Sequence, residues 1–177
     1  VYREVLLIGE GGMKVVFDLD GVIRDIAGHI AREKKCHYPT VWDYSYNGKN
    51  IYECINENLN LLLTAPPTAY KAVMLAHFPH PEIWTNQPEA WRGNTMKWVT
   101  RHLGAGCIVY FMTTEEKEKK LKEKDNVILI EDSPNFGCYD NILLIDRPYN
   151  QGVRRAMRIY GALHFDNLLE CIKSKEE

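Results

Sequence analysis

Two pairs of carboxylates stand where apolar runs stop. Asp18-Leu19-Asp20-Gly21-Val22 follows the β-branched and aromatic run from Lys14, and Glu131-Asp132-Ser133-Pro134 follows Asn126-Val-Ile-Leu-Ile130. Side chains alternate along an extended chain, so Asp18 and Asp20 emerge on one side, and Gly21 lets the backbone turn away. A single acid ending one buried strand can serve as a helix cap. Acidic pairs ending two such strands repel each other unless a cation sits between them. A hard, oxygen-rich site with few ligands suits Mg²⁺, which keeps several waters and takes its other ligands from one or two carboxylates and a phosphate. The same groups fit phosphoryl chemistry: one carboxylate attacks phosphorus, and a second, two residues on, protonates the leaving oxygen and then deprotonates water. Phosphate monoesters hydrolyse very slowly unaided, so such a site needs metal and cationic help.

Strands must carry these acids to one place. Residues 14–18, 81–85, 107–113, 126–130 and 141–146 read as strands, the fourth leading into Glu131-Asp132. Helices are expected from Pro88 to about His102, over the Lys/Glu-rich segment 115–124, and over 166–173 with Asp166 as its cap. This alternation predicts an α/β fold, Rossmann-like, with a mostly parallel sheet in a three-layer core. In open sheets of this kind ligands bind beyond the carboxyl ends of the strands. Residues 26–79 break the alternation, with helical patterns at 51–63 and 68–78 and four prolines as punctuation. A loop that long without structure is improbable, so the segment is expected to form a small helical cap inserted after the first strand. Val5 to Gly12 resembles a strand entering a glycine-rich loop, but another apolar run follows instead of a helix. Residues 1–12 are therefore read as an extension ahead of Met13, leaving a core of 13–25 and 80–177.

Composition narrows the setting. With 177 residues the chain fits one domain and at most a small subdomain, and 45% hydrophobic content provides a core. The 22 Lys and Arg against 24 Asp and Glu give a net charge of −2, without the basic excess usual in proteins that bind nucleic-acid polymers. No apolar run approaches a membrane span. The five cysteines are odd in number and lack Cys-x-x-Cys spacing, which favours free thiols, a reducing compartment and a cytoplasmic location.

The segments VVFDLDGV (15–22), IWTNQ (83–87) and ILIEDSPN (128–135), in that order, resemble the motifs of haloacid dehalogenase-like (HAD) superfamily phosphatases. Within that superfamily the chain is most similar to the small 5′-nucleotidase, or deoxyribonucleotidase, branch. PEAWRGNTMKWVTRHLG and RPYN (147–150) add to the likeness, which spans roughly residues 13–150. It implies a Mg²⁺-dependent phosphomonoesterase working through an aspartyl-phosphate, with Asp18 as nucleophile and metal ligand. Asp20 would be general acid/base and would offer its backbone carbonyl to the metal. Thr85 and the backbone near Asn86 would bind the phosphoryl group, and Glu131 and Asp132 would hold Mg²⁺. The branch more often has two aspartates at the acidic pair, so Glu131 is a departure. Its Thr-x-x-Lys pattern is best matched by Thr114 to Lys117, with Lys120 as the alternative cation.

The expected partner is a small phosphorylated metabolite. Trp42, Tyr44, Tyr46 and Tyr52 cluster early in the insertion and could form the insertion's own core; alternatively they could stack on a nucleobase, which would favour nucleoside 5′-monophosphates. Arg24 could meet a phosphate or ribose, or form a salt bridge. A sugar-phosphate phosphatase and a non-catalytic binding module of the same fold are the alternatives.

Overall fold

The computed structural model describes residues 13–124 and 126–174, so the extension expected over residues 1–12 lies outside the described residues. Six strands form one sheet: β1 (Lys14–Phe17), β2 (Glu82–Thr85), β3 (Ile108–Phe111), β4 (Val127–Glu131), β5 (Ile142–Ile145) and β6 (Met157–Ile159). Their order is β3-β2-β1-β4-β5-β6, and every pairing between them is parallel. Helices cover both faces of such a sheet, so its inner strands are apolar throughout instead of alternating. β4 and β5 are accordingly buried at every position. At the edge, β3 leaves Ile108 and Tyr110 exposed.

The core lies on both sides of the sheet. Phe17, Ile83 and Ile130 pack on one side with Trp98 of α5 (Glu89–Leu103) and Phe165 of α7 (Ala162–Lys173). Val16, Trp84 and Leu129 pack on the other with Leu121 of α6 (Thr114–Glu123) and Phe136. No helix among the described residues is long and apolar enough to cross a membrane. All five cysteines are unpaired.

Between β1 and β2 run α1 (Ile26–Glu33), α2 (Ile51–Glu57), α3 (Leu61–Thr64) and α4 (Tyr70–His77). The first three bury Ile30, Cys54, Ile55 and Leu62 in a cluster of their own, closed by Trp91 of α5. By contrast, Tyr70 and Met74 of α4 join the main core beside α7. The two connections to this segment run side by side: Asp25 N–H donates to Pro66 carbonyl at 2.9 Å, and Thr68 N–H to Ile23 carbonyl at 2.8 Å.

Three local expectations change. The 51–63 helix is two helices, because the Asn58 side chain accepts from Asn60 N–H and competes with the helical ladder. The last helix starts after Gly161, so Asp166 lies inside it and pairs with His77 at 2.7 Å instead of capping it. β6 is a sixth strand, too short at three residues, one of them Arg158, to show a pattern in the sequence.

Candidate metal and phosphate site

The order of the sheet reverses between β1 and β4, and a crevice opens beyond the carboxyl ends at such a point. Phe17 is in register with Ile130, and the Asp18 N–H extends the ladder to the Ile130 carbonyl at 2.8 Å. The two acidic segments are thereby brought together. Asp18, Glu131 and Asp132 are all buried, and each contributes an oxygen to a group lying within 4.8 Å of one another, a cluster able to coordinate a divalent cation.

Lys117 enters from α6. Thr113 and Glu116 form a reciprocal capping box that fixes the first turn of the helix. One turn in, the buried Lys117 ammonium donates to Asp18 Oδ1 at 2.6 Å and to Glu131 Oε2 at 3.1 Å. Glu131 Oε1 accepts the backbone N–H groups of Asp132 at 3.0 Å and Ser133 at 3.2 Å. Lys120, the alternative cation, lies over the Trp84 and Tyr110 rings instead.

One ammonium cannot balance three buried carboxylates. Burial, and after it the charge of Glu131, pushes the Asp18 carboxyl up to about 7 despite Lys117. Burial likewise raises Asp132 well above the carboxylate range, with Glu131 and Asp18 adding to the shift. Burial alone would weaken the Lys117 ammonium, but Asp18 and Glu131 outweigh it and hold the proton more tightly than usual. The site is thus cationic at Lys117 and over-supplied with acid around it. The donor set fits a hard divalent ion: Asp18 gives one oxygen to Lys117 and Asp132 gives one to the Tyr149 phenol, which leaves each a second oxygen.

Gly21 is required here twice over. Its φ of +82° favours glycine, and a Cβ would lie 1.8 Å from Asp132 Oδ2. Arg147 fixes this turn by donating from Nε to the Gly21 carbonyl at 3.0 Å. Asn150 donates to the Asp132 and Ile145 carbonyls, both at 2.8 Å, joining the ends of β4 and β5.

A cavity of about 600 Å³ opens over these groups. Asp18, Asp20 and Thr85 line its base together with Lys117, Glu131 and Asp132. Thr85 is buried at the end of β2; Asn86 is exposed and donates to the Thr114 hydroxyl at 3.2 Å. The Asp20 carboxylate lies outside the three-carboxylate cluster. On the insertion side the wall is aromatic, with Trp42, Tyr44 and Tyr52 lining the cavity. Tyr46 also lines the cavity but is buried in the insertion's core, whereas Trp42 and Tyr52 are 45% and 46% exposed.

Of the two readings of Arg24, a phosphate or ribose contact and a salt bridge, the structure shows the salt bridge, buried instead of exposed: Arg24 is fully buried, does not line the cavity, and forks onto Asp20. Tyr149 and Arg147 belong to the RPYN segment, which stood out in the sequence without a role for either residue. Gln87, which donates to Asp20 Oδ2 at 2.6 Å, was not singled out.

In comparisons with known proteins, no family model and no curated protein matches this chain. The site therefore stands on its own geometry.

Proposed function

We propose that the protein is a Mg²⁺-dependent phosphomonoesterase of the haloacid dehalogenase-like type, acting through an aspartyl-phosphate on nucleoside 5′-monophosphates. The observation that carries this reading is Lys117, shared by Asp18 and Glu131 at the carboxyl ends of β1 and β4 with Asp132 beside them. A nucleophilic carboxylate facing a dianionic phosphate needs a fixed cation at that position.

Asp18 forms the new bond to phosphorus as the bond to the leaving oxygen breaks, and Asp20 gives its proton to that oxygen. Water then attacks the phosphoryl-aspartate and passes its proton to Asp20; the bond to Asp18 breaks and phosphate is released. Thr85 and the backbone at Asn86 bind the phosphoryl oxygens while Lys117 neutralises charge on Asp18 and phosphate. Asp18 and Asp132 would hold Mg²⁺, with the Asp20 carbonyl as a further oxygen, and Glu131 serves mainly as counter-ion to Lys117. When bound, the ion supplies charge neutralisation and orientation of the phosphoryl group.

Within residues 26–79 the cap is α1 to α3 with their connections, while α4 packs on the core formed by 13–25 and the described residues from 80 onward. Trp42, Tyr44 and Tyr52 offer faces for a flat leaving group. Among the described residues, Lys117 is the only cation lining the cavity. A second phosphate on the substrate would find no second cation among the described lining residues, which include Asp43, and this favours monophosphates with an uncharged aromatic body over sugar bisphosphates.

The test is hydrolysis of 4-nitrophenyl phosphate with and without Mg²⁺, then Asp18→Asn, then a panel of phosphomonoesters compared by kcat/KM. Metal-dependent turnover that Asp18→Asn abolishes is expected. Near-native activity in that variant would overturn the mechanism, and indifference between nucleotides and sugar phosphates would remove the substrate assignment.

A further inference from the structure

Arg24 is among the largest fully buried side chains, at 0% exposure. Its Nε donates to Asp20 Oδ1 at 2.6 Å and its NH2 to Oδ2 at 3.0 Å, a two-bonded fork. NH1 reaches the Leu62 carbonyl of α3 at 3.0 Å, and both terminal nitrogens lie 3.3 Å from the Thr95 hydroxyl. The guanidinium carbon sits 5.4 Å from the Trp98 ring centre. Gln87 donates to Asp20 Oδ2 at 2.6 Å and accepts the Thr95 hydroxyl at 2.5 Å. Thr95 therefore holds both groups that hold Asp20.

Stability does not account for this arrangement. Burying a guanidinium carries a desolvation penalty that an apolar residue of similar volume avoids, and such replacements are often neutral or stabilising. A forked, charge-assisted pair does provide fixed geometry, which a point charge on a flexible stem does not. The Asp20 side chain keeps 24% exposure beside the cavity while its oxygens are held from behind.

We propose that Arg24 is a positioning residue that holds the Asp20 carboxylate at the cavity for proton transfer to the leaving oxygen, with Thr95 and Gln87 fixing the fork. The inference rests on the phosphomonoesterase reading above. It makes Arg24 matter in the step where the bond from phosphorus to the leaving oxygen breaks and that oxygen takes a proton. A 4-nitrophenolate departs without a proton, whereas an alkoxide does not, so the need for a well-placed acid grows with leaving-group basicity.

The experiment measures kcat/KM of the Mg²⁺-loaded wild-type, Arg24→Lys and Thr95→Val proteins on 4-nitrophenyl phosphate and on an alkyl phosphate, 2-phenylethyl phosphate. Arg24→Lys keeps the charge without the fork, and Thr95→Val keeps the volume if the buried lysine impairs folding. The expected loss is about 100-fold for the alkyl ester and under about fivefold for the aryl ester. Equal losses on both esters, or no loss on either, would overturn the proposal, since a merely structural role moves both alike. A wild-type protein inactive on both would instead overturn the phosphatase reading itself. A metal-free readout accompanies it: melting temperatures of Asp20→Asn, Arg24→Lys and the double variant should be non-additive, and additive shifts would also overturn the fork.

Discussion

Glu131 gives one carboxylate oxygen to the Lys117 ammonium at 3.1 Å and the other to two backbone N–H groups. Both oxygens are therefore committed within the protein. Asp132, the next residue, shares one oxygen with Tyr149 and keeps the other. Adjacent acids thus differ in what they leave free: both Glu131 oxygens are engaged within the protein, and Asp132 has one available to an ion.

That division predicts unequal metal binding. Groups one bond removed from an ion typically change its affinity by about 10- to 100-fold. In calorimetric titration with Mg²⁺, Glu131→Gln should fall in that range and Asp132→Asn should lose more. Equal losses would mean that Glu131 ligates the ion directly.

Removing Lys117 leaves the buried Asp18 and Glu131 without their ion-pair partner. Breaking a buried pair from one side costs about 3–5 kcal/mol. Lys117→Met should lose stability of that order in urea denaturation of metal-free protein, and recover part of it with Mg²⁺. Phosphatase activity should not return with the ion, because Mg²⁺ restores charge balance but not the fixed ammonium.

Gly21→Ala adds one methyl where Asp132 Oδ2 already lies, at a φ that other residues avoid. Strain of this kind costs about 1–3 kcal/mol. Circular dichroism should show the fold retained with a lower melting temperature, and Mg²⁺ titration should show weakened binding as Asp132 is displaced. Unchanged binding would mean that Asp132 is not a ligand.

The metal-free protein should lose stability as pH rises. Burial, then Glu131, pushes the folded Asp18 carboxyl up to about 7 from 3.8. The folded state therefore holds this proton more tightly than the unfolded chain does. The resulting stability is complete below the unfolded value and disappears as pH passes the folded one. Melting temperatures in chelator should decline between about pH 4 and about pH 7 from this group, and Mg²⁺ should raise them more at the upper end. A flat profile would show that Asp18 is ionised throughout.

Strand ends were legible in the sequence because buried parallel strands are continuous apolar runs, and Asp18 and Asp132 end such runs. The register between β1 and β4 was not legible, since nothing local specifies which two strands lie side by side. Lys117 had a readable signal in the Thr-x-x-Lys match from Thr114, and the structure adds that it shares the buried face of α6 with Leu121, whereas Lys120 lies over the Trp84 and Tyr110 rings. Arg24 had none. Its partners Thr95 and Leu62 are 71 and 38 positions away, and a buried guanidinium looks like any surface arginine until those partners are in place.

The β1–β4 ladder has a consequence for how the chain reaches its native state. Asp18 and Lys117 meet across 99 positions, and β4 must dock on β1 before the acidic cluster exists. Contacts this distant in sequence bear the largest loop-closure entropy and slow the search for the native topology. Until that docking is complete, a divalent ion has no assembled seat, so ion binding would be tied to the β1–β4 closure and would stabilise only chains that have made it. Half-folded molecules would be blind to the ion, which would act as a reward for correct assembly as well as a reagent.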